Sequence, residues 1–341
     1  MKDKCTMKKI IASLFFLIFI GSIAWQNRVN ITVWALPKIL NIVKPVLSVG
    51  SSNWQEGPSL ENKTLDTRPN IILILADDLG FNDISLYNGG AGSGSLMTPN
   101  IDQIAYEGVL FENGYAANAI CAPSRASIMT GRYSTRFGFE FTPLFPGAFT
   151  LFKWINEIEN SELKSEIDQN LATVSKHVFS AGLPTEEITI AEALQDAGYY
   201  TAHVGKWHLG PPSQPSHPND MGIEYFSGMT QSSVDSYYNW VHTLNGQVTT
   251  SNEYATTKLT DDAITWINDQ DQPWFLWLAY NAPHTPFHLA PTNLHNQGNL
   301  SEDEAMIEAN PLPYYFSAIE ALDTELRRII ESIPNGLENT I

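Results

Sequence analysis

Two runs with no polar alternation, Asn70 to Ala76 (NIILILA) and Trp274 to Tyr280 (WFLWLAY), constrain the fold of this 341-residue chain most. A strand with one wet face alternates apolar and polar residues. A strand that reads apolar throughout is covered on both faces, the habit of parallel sheets sandwiched by helices. Helical patterns fall between these runs. Thr98-Pro99-Asn100 opens a short helix through Glu107, and Thr189–Ala197 reads as a helix ended by Gly198. Tyr199–Val204 follows as a strand, Lys258–Asn268 has helical spacing, and Pro313–Ile333 is a long amphipathic helix stopped by Pro334 and Gly336. Strands alternating with helices predict an α/β fold, a mainly parallel sheet flanked by helices. With 43% hydrophobic and 16% charged residues, the chain can bury one large core.

Charge is distributed unevenly. The net charge is -18, yet the first 50 residues hold seven basic groups and one acid, Asp3. So acidic a remainder repels phosphate backbones and argues against nucleic acid as a partner. Lys2 to Lys9 forms a basic segment, and Ile10 to Ala24 is an uncharged apolar run, short for a membrane span and suited to a signal sequence. Ser22-Ile23-Ala24 offers a small-x-small cleavage site; uncut, residues 1–25 form an anchor. Either way the expectation is export, to a periplasmic, secreted or membrane-anchored location. Val29–Val49 is a second apolar segment, broken by Pro37, Lys38, Lys44 and Pro45; it reads as a membrane-surface stretch or a weak second span. Residues 26–68 thus make a membrane-proximal segment and a polar linker ahead of a catalytic domain at 69–341. The two cysteines, Cys5 and Cys121, are expected on opposite sides of a membrane and therefore unpaired. Phe141–Leu183 fits the alternation poorly and reads as an insertion over the active-site face or as a plain surface helix.

The chemistry-bearing residues sit just after the predicted strands, where open α/β sheets hold ligands. Asp77 and Asp78 follow the first. Two adjacent buried carboxylates need a cation, and hard oxygen donors suit calcium or magnesium; a solvated turn is the alternative. Lys206 and His208 lie in Gly205-Lys206-Trp207-His208-Leu209-Gly210, after the Tyr199–Val204 strand. His284 lies in Asn281-Ala282-Pro283-His284-Thr285-Pro286, after the Trp274 strand. Cys121-Ala122-Pro123-Ser124-Arg125 looks like a helix start, a seat for an anion, with Arg125 adding a planar donor fork. Alone, Cys121 reads more simply as a small buried residue. His203, His217 and His242 lie outside any motif and read as structural or surface groups.

The run Cys121–Arg132, with its Cys-x-Pro-Ser-Arg and Thr-Gly, resembles the signature of type I sulfatases of the alkaline phosphatase superfamily. The Gly-Lys-Trp-His-Leu-Gly and Pro-His-x-Pro elements and the Asp-Asp pair agree with it. The resemblance implies an alkaline-phosphatase-like fold and an arylsulfatase-like sulfuric ester hydrolase acting on an aryl or carbohydrate sulfate. It implies that a formylglycine-generating enzyme oxidises Cys121 to formylglycine, whose hydrate attacks sulfur. It implies Asp77, Asp78 and the modified Cys121 as ligands of calcium, with magnesium as the alternative. Arg125 would position the modified side chain, Lys206 would contact the sulfate, His208 would act on the diol, and His284 would protonate the leaving alcohol.

The resemblance covers about 69–341. In the family, a Gly-x-x-x-Asn-Thr turn like Gly336–Thr340 leads into a strand carrying an Asp-Asn metal pair, a later lysine and a C-terminal subdomain, none of which this sequence contains. Two further readings therefore stand beside the sulfatase: an inactive truncated remnant or membrane-tethered binding fragment, and a formylglycine-dependent phosphonate or phosphodiester hydrolase.

Overall fold

β1 (Ile71–Asp77) and β6 (Trp274–Pro283) form from the two apolar runs and pair in parallel, Ile71 opposite Phe275 through Ala76 opposite Tyr280. The computed structural model describes residues 68–87, 92–142, 182–211, 213–334 and 336–341. These lie in one unit, Ser48–Pro143 with Ala181–Ile341; a second unit, Met1–Leu47 with Leu144–Ser180, lies outside the described residues. So do the signal-like run, the second apolar segment, the linker up to Thr67, Cys5, and nearly all of the Phe141–Leu183 stretch. Among the described residues no helix is long and apolar enough to cross a membrane.

The six strands run in the order β1-β6-β2-β3-β4-β5. β2 (Tyr200–Lys206) lies parallel to both β6 and β3 (Tyr225–Met229). β4 (Trp240–Leu244) and β5 (Gln247–Ser251) add an antiparallel hairpin. The mainly parallel α/β sheet is as expected; β3 to β5 are too short, and β5 too exposed, to stand out as apolar runs. The helices are α1 (Pro99–Glu107), α2 (Cys121–Thr130), α3 (Ile190–Asp196), α4 (Ala255–Asn268), α5 (Glu304–Ala309) and α6 (Leu312–Ser332).

One expectation fails by half. β6 is buried at every residue, but β1 is only partly buried up to Ala76. β6 has a strand on each side. β1 has β6 on one side, and among the described residues its other edge bonds only to 339–341, through Asn70 and Ile72. Trp277, Leu278 and Tyr280 are fully buried, each contributing about 1.5–3 kcal/mol by leaving water.

α6 ties the site-bearing loops down. Asp323 accepts from the backbone N–H groups of Asn100 (3.1 Å) and Ile101 (2.8 Å), capping α1 from another helix. Thr98, the expected cap, makes no capping bond and instead donates to Asp102. Glu320 holds the Met97 and Asn296 N–H groups.

Candidate active site

The four elements carrying the predicted residues converge at the C-terminal ends of β1, β2 and β6. Asp77 is the last residue of β1. A register shift after Ala76 sets it opposite Pro283, which puts His284 beside the end of β1. Cys121 is the first residue of α2, and Arg125, one turn on, lies on the same helical face. Lys206 ends β2.

Asp77 is the hub. It is 6% exposed, and its Oδ1 receives Arg125 Nη2 at 3.0 Å while its Oδ2 binds Lys206 Nζ. Arg125 Nη1 also donates to the Lys206 carbonyl. Burial pushes the Asp77 carboxyl up, but the Arg125 and Lys206 charges and hydrogen bonds outweigh it and hold the group below the usual carboxylate range. The burial cost that the sequence assigns to a metal is thus met in large part by two protein cations. Asp78 is unlike its neighbour: its side chain is 60% exposed and its backbone is left-handed, φ 61°. It faces His284, Nε2 to Oδ2 3.5 Å.

His284 is oriented from behind. Its Nδ1 lies 2.6 Å from the Thr285 carbonyl, so that nitrogen carries a proton and Nε2 points to Asp78. Its own carbonyl accepts from Tyr237 (2.7 Å), whose hydroxyl accepts from Asn281 Nδ2 (2.9 Å). Ligand atoms of Asp77, Cys121 and His284 all fall within 4.8 Å of one another. Burial pushes the Cys121 thiol up; Lys206 opposes this, and Asp77 and Asp78 reinforce it. A thiol so placed is a poor nucleophile at neutral pH.

His208 is buried, sits at φ 56°, and neither ring nitrogen has a hydrogen-bond partner among the described residues. Burial, then the Lys206 and Arg125 charges, drives its pKa well below the ordinary imidazole value, so it is neutral at pH 7. Its loop is held by Trp207, whose Nε1 donates to His217 Nδ1 at 3.1 Å. Gly205 is required by packing: its φ is +118°, and a Cβ there would meet the Ala279 carbonyl oxygen at 1.9 Å.

Of the remaining histidines, His203 is enclosed by Trp207, Phe226 and Trp277, and His242 bonds Ser227. His288 stacks on Tyr237, centroids 3.8 Å apart. None of these three joins the cluster, which for His203 and His242 agrees with their lying outside any motif. Tyr315 and Asp83 carry no sequence signal, yet both touch the Asp78 turn. The Tyr315 hydroxyl accepts from Gly80 N–H (3.2 Å) and shares its proton between Asp83 Oδ2 (2.8 Å) and the Asp78 carbonyl (3.3 Å). Tyr315, Asp83, Asp78, His284, Phe287 and Leu312 line a cavity of about 390 Å³.

Comparison with known proteins decides the family. A family profile described as Sulfatase matches residues 69–341. The chain belongs to the sulfatase family. Human steryl-sulfatase is 40% identical over 169 residues, 48% of this chain and 24% of that protein. The Escherichia coli (strain K12) protein named uncharacterized sulfatase YdeN is 28% identical over 325 residues, 80% of this chain and 50% of that protein. A solved structure, Ps i-CgsB in complex with k-i-k-neocarrahexaose, aligns with TM-score 0.60 and 27% identity, covering 80% of this chain and 57% of that one. The matches to these curated relatives span half of their length or less.

Proposed function

We propose that this sulfatase-family chain is a metal-dependent sulfuric ester hydrolase, acting on an aryl or carbohydrate sulfate. The observation that carries the reading is the convergence of Asp77, Cys121 and His284, braced by Arg125 and Lys206. The donor set favours a hard cation on one condition. Asp77 and Asp78 offer carboxylate oxygens, and each Asp77 oxygen keeps a lone pair beyond its ion pair. A thiol at 121 is too soft for calcium; a hydrated formylglycine at that position presents oxygen instead. Asp77, Asp78 and the modified residue 121 would hold calcium, which would withdraw charge from the sulfate oxygens.

The chain's own residues supply the rest. Modified residue 121 gives the oxygen that attacks sulfur, at a helix N-terminus suited to an anion. Arg125 and Lys206 hold positive charge beside the sulfate, already fixed by Asp77, so no reorganisation is needed as charge develops. His284, as the imidazolium whose Nδ1–H stays on the Thr285 carbonyl, donates its Nε2 proton on the open side to the departing alcohol oxygen. In the second step His208, neutral and buried, accepts the proton of the remaining hydroxyl on residue 121, as the C–O bond to the sulfate breaks, sulfate leaves and the aldehyde reforms. The carbohydrate option draws support from the oligosaccharide in the Ps i-CgsB complex, and the aryl option from the arylsulfatase-like motifs. The basic and apolar N-terminus supports export, with a formylglycine-generating enzyme as maturation partner and the membrane as a transient or lasting one.

The test is to coexpress the full chain with such an enzyme, identify residue 121 by peptide mass spectrometry, and assay 4-nitrophenyl sulfate with and without calcium. An aldehyde at 121 with calcium-dependent turnover is expected. Modified protein with no turnover overturns the hydrolase reading for this chain, and a large preference for an aryl phosphodiester supports the diesterase.

A further inference from the structure

A second cavity, about 680 Å³, adjoins the site through Phe287, which lines both hollows. Its size lies in the range of small-molecule sites, about 300–1,000 Å³. Its wall is the segment that leaves His284, running from Pro286 to Asn293, faced by Asp235–Tyr238 and by the start of α5. Tyr238 (41% exposed) and Phe287 (37% exposed) present aromatic surface. Tyr238 is fixed by its hydroxyl, which donates to the Leu289 carbonyl at 2.7 Å. Three exposed acids, Asp235, Glu302 and Glu304, also line the cavity, and among the described residues no lysine or arginine does. His288 contributes no cation, because burial takes its pKa down to about 4.

This lining selects by chemistry. Aromatic faces favour a ligand with flat apolar patches, and carboxylates favour one rich in hydroxyl donors. A sugar ring has both; a sterol lacks the donors. Three acids without a counter-cation repel sulfate and uronate groups, an element of discrimination by repulsion. We propose that this cleft binds the uncharged saccharide units flanking the cleaved ester, so that the substrate is a sparsely sulfated, otherwise neutral oligosaccharide. The inference rests on the sulfatase reading for the location of the ester, but the cleft's preference is measurable without turnover.

The experiment is saturation-transfer NMR on the full chain with unsulfated agaro- and cello-oligosaccharides and with a heparin hexasaccharide. A neutral oligosaccharide is expected to bind and the heparin fragment not. Phe287→Ala is expected to weaken neutral-sugar binding by roughly tenfold, a loss of one exposed stacking face. Asp235→Asn/Glu302→Gln/Glu304→Gln is expected to narrow the gap between neutral and sulfated ligands. Binding of heparin equal to or tighter than that of the neutral sugars overturns the proposal, as does absence of neutral-sugar binding or its indifference to Phe287→Ala. Aryl sulfate turnover, assayed in parallel, reports on the hydrolase reading alone: turnover without neutral-sugar binding sinks the cleft and spares the enzyme.

Discussion

The inner and outer halves of the site are built by different rules, although adjacent residues of one strand end contribute to each. The inner half, Asp77 with Arg125 and Lys206, is almost wholly buried and every charge has a partner. The outer half, Asp78 with His284 and Phe287, is open, and its one ion contact among the described residues is 3.5 Å long. The inner half is part of the fold's core and cannot move without exposing unpaired charge. The outer half is braced from behind at its backbone carbonyls, by the hydroxyls of Tyr237 and Tyr315. Pre-set charge thus sits deep, and ligand-facing groups sit on the rim.

Asp77→Asn should show the largest effect. It leaves Arg125 and Lys206 buried without their shared anion, a loss of about 3–5 kcal/mol. Chemical denaturation should show it, and turnover should disappear with it. A loss under 1 kcal/mol would mean that the inner ion pairs are not part of the core.

The deep side also sets an acid limit. His217 is 2% exposed, accepts from Trp207 at Nδ1, and has its Nε2 3.2 Å from the Leu183 carbonyl, so its neutral form is the one that fits. Burial takes its pKa down to about 4, against about 6.5 unfolded. Between these values the unfolded chain holds a proton that the folded one does not. Stability therefore falls as pH drops from about 6.5 to 4, by about 3 kcal/mol for this residue. Thermal unfolding across that range measures the total, and NMR titration of the His217 ring assigns its share. A His217 that titrates near pH 6.5 breaks the assignment.

The motif residues of both halves were legible in sequence and the groups that brace them were not, for a physical reason. Asp77, Cys121, Lys206 and His284 each follow or begin a strongly patterned element, and Arg125 is one helical turn from Cys121, so local spacing places them. Their partners come by topology. Tyr315 reaches the Asp78 turn from 237 residues away, and Tyr237 reaches His284 from 47. No periodicity encodes such contacts. The expectation that both carboxylates share one environment failed for the same reason. The left-handed backbone at Asp78 turns that side chain outward, while Asp77 faces two cations that arrive from other elements.

Tyr315→Phe tests the brace on the rim. It removes the hydroxyl that joins Gly80, Asp83 and Asp78, at a cost of about 1 kcal/mol in stability. A loosened Asp78 should lower calcium affinity by about tenfold, in line with other groups that orient metal ligands. Calorimetric titration of calcium separates the two effects, and unchanged affinity would reduce Tyr315 to a packing residue.

Asp78→Asn should change stability least, by less than about 0.5 kcal/mol. The side chain is 60% exposed, its only ion contact among the described residues is with His284, and asparagine tolerates the left-handed φ of 61° as well as aspartate does. Calcium binding should nevertheless fall, because a neutral amide oxygen replaces a carboxylate in the proposed ligand set. The pair Asp77→Asn and Asp78→Asn thus separates support of the fold from ligation: neighbouring positions, identical substitutions, calcium binding lowered by both and stability lowered by the first alone. If Asp78→Asn lowers the unfolding midpoint as far as Asp77→Asn does, the rim is as structural as the core and the division between them fails. If it leaves calcium binding untouched, the outer carboxylate belongs to substrate contact rather than to the metal, and His284, its partner at 3.5 Å, becomes the residue through which it acts.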